Sequence, residues 1–478
     1  MTFTSLSFLL FLPIVIIIYN IIPNRWKVFY LLIVSYLFYL NLQPVFAIIL
    51  FCVSLCTFFG GKIISGIKED RKRESALLVS IILVLSPLFF YKYYDFIVGL
   101  LNSLLGSVNL SGRVPQFSLL LPVGISFYTF MAIGYLVDVY NEEIECENNL
   151  CSTSLFLSFF PIILSGPIER AHNMLPQFKT LKNSTYEDLA GGFKYILWGY
   201  FMKLCVADRL GIYVDAIYNN IPNHNGASLA FATALYPFQV YADLGGYSLM
   251  AIGTAKCIGI EVIQNFKRPF FATSMSEFWR RWHISLIKWL TDYIYTPLSF
   301  KLRNWRIYGI FTALMLTFFI SGIWHGATFG FIIWGLIQGV FLCLDAATNK
   351  SRVKMEKRFS LIGKWWWTLV CCTIVFIMFA FSQIFGINEN VTVSDSCIVI
   401  EKIFTSWGPL FVDVNTLANG LFCLFILFLK DYYEEYRGKQ SLLYSRRQSV
   451  KYLSIAILIA IIVMFGVFDG NQFIYFQF

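Results

Sequence analysis

The sequence predicts an all-α, polytopic membrane protein with about 11 transmembrane helices, supplemented by re-entrant or interfacial helices. Of its 478 residues, 58% are hydrophobic and only 14% are charged, whereas soluble domains have roughly 45–50% apolar and about 25% charged residues. A soluble fold could not bury so much apolar surface, and the mean hydropathy is +0.66. We therefore expect a single membrane domain over residues 1–478. The composition excludes soluble enzymes, nucleic-acid-binding proteins and disordered scaffolds.

The spanning segments follow from runs of apolar residues, because a helix needs about 20 of them to cross the hydrocarbon core. Such runs occupy residues 4–22, 28–42, 45–66, 76–95, 119–139, 308–322, 329–346, 365–386, 415–430 and 452–468. In residues 152–260, by contrast, the apolar pieces are interrupted at Pro161, Gly166, Pro167, Gly245 and Gly246. Non-helical backbone at membrane depth needs protein cover or a cavity, so we expect broken or re-entrant helices there that build a site.

The charge distribution predicts the orientation. The net charge of +9 comes from 37 basic and 28 acidic residues, and basic residues of membrane proteins concentrate in short cytoplasmic loops. Basic clusters occupy residues 68–73, 350–364 and 430–451. If these three loops are cytoplasmic, the alternation of spans places both chain termini outside the cell.

A histidine lies at membrane depth between two apolar spans, in the stretch Ser321-Gly-Ile-Trp-His-Gly-Ala327. Its glycines, Gly322 and Gly326, permit a tight turn or a close backbone approach. An ionisable residue inside a membrane is a functional hypothesis by default, and histidine suits proton transfer near neutral pH. We predict that His325 is a buried catalytic group in the outer half of the membrane. The alternative is a packed, structural histidine.

The densest polar constellation is Glu277-Phe-Trp-Arg-Arg-Trp-His-Ile-Ser285, followed by Lys288. The spacings of four and seven between Glu277, Arg281 and Lys288 predict one face of one helix. The two tryptophans of the motif predict a position at the headgroup boundary. The alternative is an interfacial helix held by Trp and Arg, with His283 in a structural hydrogen bond.

Polar groups also interrupt the apolar stretch from Tyr236 to Ser248. A carboxylate such as Asp243 is costly there unless it is paired. An internal ion pair that holds helices together would explain Asp243. A contact with substrate, shared with Tyr241, is the alternative.

The sequence contains no motif for metal chemistry. Its 11 cysteines include no CxxC, and there is no His/Cys ligand spacing and no HExxH. A P-loop and a serine nucleophile elbow are missing as well. We therefore expect no metal and no bound cofactor.

Taken together, these stretches resemble the membrane-bound O-acyltransferases, in particular the branch of alginate and peptidoglycan O-acetyltransferases, with teichoic acid D-alanyltransferase as a near relative. The segments occur in family order over nearly the whole chain, and the combination of Arg-Arg-Trp-His with Trp-His-Gly is highly specific. They are Phe8-Leu-Leu-Phe-Leu-Pro13, Leu121-Pro-Val-Gly-Ile-Ser-Phe-Tyr128, Ser165-Gly-Pro-Ile168, Tyr241-Ala-Asp with Gly246-Tyr-Ser, Asn265-Phe-Lys-Arg-Pro269, Glu277 to Leu286, Ser321 to Ala327 and Phe473-Ile-Tyr-Phe-Gln-Phe478.

The resemblance implies a multi-helix bundle around a central tunnel, with the acyl donor approaching from the cytoplasm and the acceptor or a relay protein from outside. It implies that His325 is catalytic and that His283 is the second characteristic polar residue. The residues predicted to contact substrate, all polar or aromatic, are Asp243, Tyr241, Arg281, Trp324 and Ser321.

The chain departs from that branch at three places. Around Asp243, Ala242, Gly245 and Leu249 differ from the pattern usual in that branch, and Thr291 stands where Arg is usual. Residues 378–386 lack the usual Phe-Phe-Arg-Ala. These departures bear on the identity of the acyl group and the acceptor.

Three functions are compatible with the sequence. The first is transfer of an acyl group, expected to be acetyl, from a thioester such as acetyl-CoA to hydroxyls of a cell-surface polysaccharide, through an extracytoplasmic acetyltransferase- or hydrolase-like partner. The second is D-alanyl transfer to teichoic acids from a carrier-protein thioester. The third, a polysaccharide or lipid transporter, leaves the two Trp-His motifs unexplained. In each case we expect a multi-pass protein of the cell membrane, in contact with lipid and not with nucleic acid.

Overall fold

The computed structural model describes residues 2–108, 112–438 and 442–468. The all-α prediction is confirmed, since helices are the only regular secondary structure in these ranges. In chain order the α-helices are α1 (Leu6–Ile21), α2 (Lys27–Leu42), α3 (Ala47–Gly66), α4 (Asp70–Leu88), α5 (Tyr94–Ser107), α6 (Ile125–Tyr140), α7 (Leu150–Ser158), α8 (Ala171–Lys179), α9 (Tyr186–Tyr200), α10 (Asp208–Tyr218), α11 (Gly226–Cys257), α12 (Met275–Arg281), α13 (Ile284–Leu290), α14 (Thr296–Lys301), α15 (Ile307–His325), α16 (Phe329–Arg358), α17 (Trp365–Gln383), α18 (Val393–Thr405), α19 (Val414–Arg437) and α20 (Gln448–Phe465). The motif Phe473–Phe478 and the C-terminus lie outside the described residues.

The prediction of a polytopic membrane protein is confirmed as well. Within the described residues, seven helical stretches are long and apolar enough to cross a membrane, judged by length and composition. They are Pro44–Gly66, Asp70–Ser107, Ile307–His325, Phe329–Arg358, Trp365–Gln383, Val414–Arg437 and Gln448–Phe465. Leu6–Ile21 and Ile125–Tyr140 are shorter apolar helices. The total of about 11 spans stays a prediction.

The chain divides into two compact units. One contains Met1–Phe193 and Ala251–Ile263, and the other contains Lys194–Met250 and Gln264–Phe478. Every residue predicted to act on substrate belongs to the second unit. The single domain over residues 1–478 stays a prediction.

In the first unit, α3 packs against α4, α6 and α7, and the chain after α7 is broken as predicted. Residues 159–166 form buried turns, in which the Gly166 amide donates to the Ile162 carbonyl over 2.9 Å. The Phe160 amide donates to the Ser35 hydroxyl over 3.1 Å. Gly124, at φ +78°, approaches this segment so closely that a Cβ would clash with the Ile163 carbonyl. The protein itself therefore satisfies this irregular backbone, as burial away from water requires.

The predicted break at Gly245 and Gly246 is wrong, because α11 continues from Gly226 to Cys257 without interruption. A Cβ on Gly246 would lie 2.8 Å from the Gly199 carbonyl oxygen and 3.0 Å from the Lys203 amide nitrogen. Gly246 thus allows two helical segments to approach closely, which is a common use of small residues between membrane helices.

In the second unit, α15 and α16 form a tightly packed hairpin. A Cβ on Gly335 would lie 3.0 Å from the Gly322 Cα, and a Cβ on Gly322 would clash with the Phe331 carbonyl. The Thr328 hydroxyl caps α16 by accepting from the Phe331 amide over 3.5 Å. The expected role of Gly322 in a close backbone approach is confirmed, and the hairpin fixes the position of His325 at the end of α15.

We predict that Gly322→Ala destabilises the protein, although alanine favours a helix over glycine by about 1 kcal/mol. The added methyl group has no room, and overpacking costs typically 1–3 kcal/mol. Thermal unfolding of the purified protein in detergent measures the effect. Gly66→Ala is the control, because no atom lies within 4 Å of a Cβ at that helical position. Equal melting temperatures for Gly322→Ala and wild type would contradict the packing argument.

Candidate functional site

The predicted single helix through Glu277 and Lys288 is wrong, because the chain breaks at His283 between α12 and α13. His283 has φ 44° and ψ 51°, the left-handed region. Such a conformation costs of the order of 1–3 kcal/mol for a residue other than glycine and often marks a functional site. Lys288 therefore does not share a helix with Glu277 and Arg281.

Asn265 holds the turn at His283 in place. Its carbonyl accepts from the Ile284 amide over 2.8 Å, and its side-chain oxygen accepts from the Ser285 hydroxyl over 2.9 Å. Its amide nitrogen donates to the Ser248 hydroxyl over 3.1 Å. One buried asparagine thus connects α11, the loop before α12 and the start of α13, and it fixes the direction of the histidine backbone.

Trp279 and Trp282, predicted to lie at a headgroup boundary, are buried within the protein, and their depth in the membrane stays a prediction. They are only 4% and 5% exposed, and both rings pack against Phe379, with centroids 6.1 and 4.9 Å away. Both tryptophans therefore lie within an aromatic core of the second unit, whereas Arg280 of the same helix is exposed.

The two predicted histidines come together on one tryptophan. The Trp324 ring centroid lies 4.9 Å from that of His325 and 6.2 Å from that of His283. The Trp334 ring of α16 also packs against His325, with centroids 4.8 Å apart. His283 is 1% exposed, whereas His325 is half-buried rather than fully buried as expected. His325 is thus the more accessible of the two imidazoles.

His283 lies outside the seven spanning stretches, and burial lowers its pKa to about 3. The imidazole is therefore neutral at physiological pH. A neutral imidazole has one N–H donor and one acceptor nitrogen, so His283 can orient a polar group but does not supply a positive charge.

Ser321 precedes His325 by one helical turn, so the two side chains share a face of α15. Ser321 is 1% exposed, and its hydroxyl has no hydrogen-bond partner among the described residues. A buried hydroxyl without a partner costs free energy, which is consistent with a role in contacting substrate. That role stays a prediction.

Arg281 is held between two carboxylates. It lies 2.6 Å from Glu277, four residues earlier on the same helix as predicted, and 3.0 Å from Glu435 of α19. Arg268 also binds Glu435, over 2.6 Å. The charge of Arg281 is therefore largely compensated within the protein, and its contact with substrate stays a prediction.

Asp243 makes the internal ion pair that the sequence analysis considered. Lys203 lies 2.6 Å from Asp243 and 2.8 Å from Asp208, and the three side chains are 7% exposed or less. Because all three charges are buried together, each depends on the others for compensation. The neighbouring Tyr241 donates to Asp431 over 2.8 Å. Substrate contacts by Asp243 and Tyr241 remain predictions.

Sequence reasoning missed several groups that support the site. Lys203 is a lone cation within an apolar run, a signal that could have identified a buried ion pair. Trp334 lies only nine residues after His325, across the turn of the hairpin, but the sequence shows no pattern that would direct its ring onto the histidine. Glu435 lies more than 150 residues from the two arginines that it contacts, and no local pattern indicates that contact. Within the described residues, no group of three His, Cys, Asp or Glu side chains could hold a metal ion.

The fold and the site together define an all-helical, polytopic membrane protein in which two histidines from separate segments contact one buried tryptophan. Residues 147–383 match the profile of MBOAT, the membrane-bound O-acyltransferase family. The chain is 32% identical over 381 residues to the probable alginate O-acetylase AlgI of Pseudomonas putida, covering 79% of this chain and 77% of that relative.

Two further relatives show the range of the similarity. The chain is 31% identical to the peptidoglycan O-acetyltransferase of Helicobacter pylori, covering 63% of this chain and 61% of the relative. It is 26% identical to the teichoic acid D-alanyltransferase of Bacillus subtilis, covering 73% and 87%. The chain belongs to the membrane-bound O-acyltransferase family, which confirms the resemblance and makes the protein an acyltransferase.

We predict that Lys203→Met destabilises the protein by about 3–5 kcal/mol, because it leaves two buried carboxylates without their cation. Adding Asp243→Asn should recover part of this loss, since one of the uncompensated charges is removed. Denaturant unfolding in detergent measures both effects.

The control is Lys72→Met, which removes an exposed pair with Glu69 of similar length, 2.6 Å. Exposed pairs contribute about 0–1 kcal/mol, so this variant should unfold like the wild type. Equal stability of Lys203→Met and Lys72→Met would show that the buried pair is not structural.

Proposed function

We propose that the protein transfers an acetyl group from a cytoplasmic thioester to hydroxyls of a cell-surface polysaccharide, through an extracytoplasmic acetyltransferase- or hydrolase-like partner. The observation that carries the proposal is the contact of His325 and His283 with one ring, that of Trp324. The alginate O-acetylase and peptidoglycan O-acetyltransferase names of the relatives support acetyl transfer to a glycan.

His325 acts as the general base. A hydroxyl is a poor nucleophile near pH 7, and a positioned base contributes about 10²–10⁴-fold to the rate. The imidazole takes the hydroxyl proton as the oxygen attacks the thioester carbonyl. The carbon–sulfur bond then breaks, and the departing thiolate receives the proton. An ester and a free thiol result, and the histidine returns to its neutral form.

Ser321 and His283 support this step. The Ser321 hydroxyl lies on the same face of α15 as His325, where it donates to the carbonyl oxygen that becomes negative during attack. His283, neutral and buried, contacts Trp324 and orients the tryptophan and the acyl group. Trp324, which contacts both imidazoles, covers the reacting carbonyl, with Tyr241, Asp243 and Arg281 as further proposed contacts.

The hairpin supports delivery across the membrane. α16 has 30 residues and is therefore about 45 Å long. Its C-terminal end carries the basic cluster that begins at Lys350, and His325 adjoins its other end. With the basic end in the cytoplasm, His325 lies in the outer half of the cell membrane, and a tunnel brings the thioester to it. The tunnel must exclude bulk water, which would hydrolyse the donor.

We predict that His325→Ala reduces acetyl transfer at least 100-fold while the protein still inserts and melts like the wild type. The measurement is incorporation of radiolabel from acetyl-CoA into glycan by membranes that contain the protein and its partner. His224→Ala is the control, because it removes another half-buried histidine of the same unit, one that packs on Phe411. Wild-type transfer by His325→Ala would overturn its role as the base.

The same assay separates the alternatives. Labelling from a D-alanyl carrier-protein thioester and not from acetyl-CoA would replace the acetyl donor with the D-alanyl one. Movement of glycan or lipid without any transfer of label would indicate a transporter.

The predicted orientation can be tested at two exposed positions, each studied as the single cysteine in an otherwise Cys-free chain. Cys397 is exposed on α18, which lies between α17 and α19 in a connection predicted to be extracytoplasmic. It should therefore react with an impermeant maleimide in intact cells. Lys72→Cys replaces a side chain that is 72% exposed in a predicted cytoplasmic loop, and should react only after permeabilisation. The opposite pattern would reverse the proposed direction of transfer.

A further inference from the structure

A cavity of about 380 Å³ lies in the second unit at the C-terminal end of α19. Neither His283 nor His325 lines it. Its walls come from α9, the end of α19 and the loop before α12, and they combine cations with aromatic rings. The charged lining residues are Lys194, Arg268, Lys430 and Glu434, and the rings are those of Tyr195, Trp198 and Tyr444.

Two of the three cations are held in place by ion pairs. Arg268 binds Glu435 over 2.6 Å, and Lys430 lies 3.0 Å from Glu434. Arg268 also adopts a left-handed backbone conformation, with φ 48°. The wall of the cavity is therefore organised before any ligand enters.

Lys194 is different, because the structure gives it no counterion. Its ammonium lies 4.5 Å from the centroid of the Tyr444 ring, and no carboxylate of the described residues lies within 4 Å of it. Burial, and then the positive charge of Lys451, lower the pKa of Lys194. A half-buried ammonium beside a second cation creates a positive potential that an anion would relieve.

Trp198 supplies an unused donor in the same cavity. Its indole nitrogen is buried and has no hydrogen-bond partner among the described residues. The face of its ring lies 5.3 Å from the Lys430 ammonium. Donors from ammonium, guanidinium and indole groups suit an acceptor with several oxygens, and a phosphoryl group carries such oxygens together with negative charge.

The size of the cavity fits more than a phosphate alone. Ligand pockets commonly measure about 300–1,000 Å³, and the aromatic rings offer flat apolar surfaces next to the cations. Tyr195 and Tyr444 lie with ring centroids 6.5 Å apart. An anionic ligand with a ring or an apolar chain beside its phosphate would contact both kinds of wall.

We propose that this cavity binds the phosphoryl group of an anionic ligand through Lys194, Arg268, Lys430 and the Trp198 indole, with the adjoining part of the ligand against the aromatic rings. Two sources share this chemistry. One is the nucleotide end of a coenzyme A thioester, which rests on the proposed function. The other is the headgroup of an anionic phospholipid, which does not.

The experiment uses the full chain in phosphatidylcholine nanodiscs. Adenosine 3′,5′-bisphosphate is titrated in one arm, and phosphatidylglycerol is added to the nanodiscs in the other, with thermal unfolding as the readout in both. Lys194→Gln should weaken the effect of one probe at least tenfold, since a hydrogen bond to a charged group contributes about 1.5–3 kcal/mol. The probe affected identifies the source of the phosphoryl group.

Two further variants make the test specific. Trp198→Phe keeps an aromatic ring and removes the indole N–H, so it should weaken binding of the same probe severalfold. This variant tests the proposal if Lys194→Gln fails to fold. Lys62→Gln is the matched control, because Lys62 also lies over an aromatic ring, at 4.8 Å from the centroid of Phe58, but does not line the cavity. Equal responses of all variants and wild type to both probes would overturn the proposal.

The binding readout is independent of acyl transfer. If Lys194 governs nucleotide binding while no acetyl transfer can be detected, the proposed function fails and the phosphoryl site stands. If the protein does transfer acetyl groups from coenzyme A through this site, Lys194→Gln should raise the KM for acetyl-CoA at least tenfold. The KM for S-acetylpantetheine, which has no nucleotide, should not change; an equal rise for both donors would overturn the nucleotide assignment.

Discussion

The structure depends on one constraint: within a bilayer the chain must satisfy its own polar groups, because lipid offers neither hydrogen bonds nor counterions. Lys203 meets this requirement for Asp243 and Asp208. Near the end of α19, Glu435 likewise compensates Arg281 and Arg268. The pairs of Lys203 with Asp243 and of Glu435 with the two arginines join segments that are distant in sequence. The need to pair these charges thus helps to determine which helical segments of the second unit lie side by side. Apolar packing, which is non-directional, does not by itself specify these neighbours.

Close packing then places the reactive groups. The α15–α16 hairpin brings backbones together at Gly322 and Gly335, which leaves the side chains of Trp324 and Trp334 as the walls around His325. Asn265 stabilises the strained turn at His283 by accepting three hydrogen bonds from Ile284 and Ser285, and its amide donates to Ser248. Rigid elements therefore hold both imidazoles, which is what a site needs if its geometry is to be reproducible.

The family includes relatives named for acetyl transfer and for D-alanyl transfer, and the physics of the site suggests how one scaffold accommodates both. Under the proposed function, both reactions need a base next to a thioester carbonyl, and neither His325 nor His283 would need to contact the group that the acyl carbon carries. Selection between acyl donors would then depend on other residues. Leu249, one of the departures from the acetyltransferase pattern, lines the cavity that contains Lys194 and Trp198. In the proposed phosphoryl site, this residue could discriminate between donors.

The sequence by itself determined the helical class, the hairpin at His325, the Glu277–Arg281 pair and the broken chain after α7. Each of these depends on local spacing or on a run of apolar residues, which a sequence displays directly. Only the tertiary structure decided that α11 continues through Gly245 and Gly246, that Trp279 and Trp282 are buried, and that His283 shares Trp324 with His325. Those outcomes depend on neighbours that are distant along the chain. Gly246 and Gly199 lie against each other and leave no space for a side chain on either, and Asn265 holds the turn at His283 by hydrogen bonds.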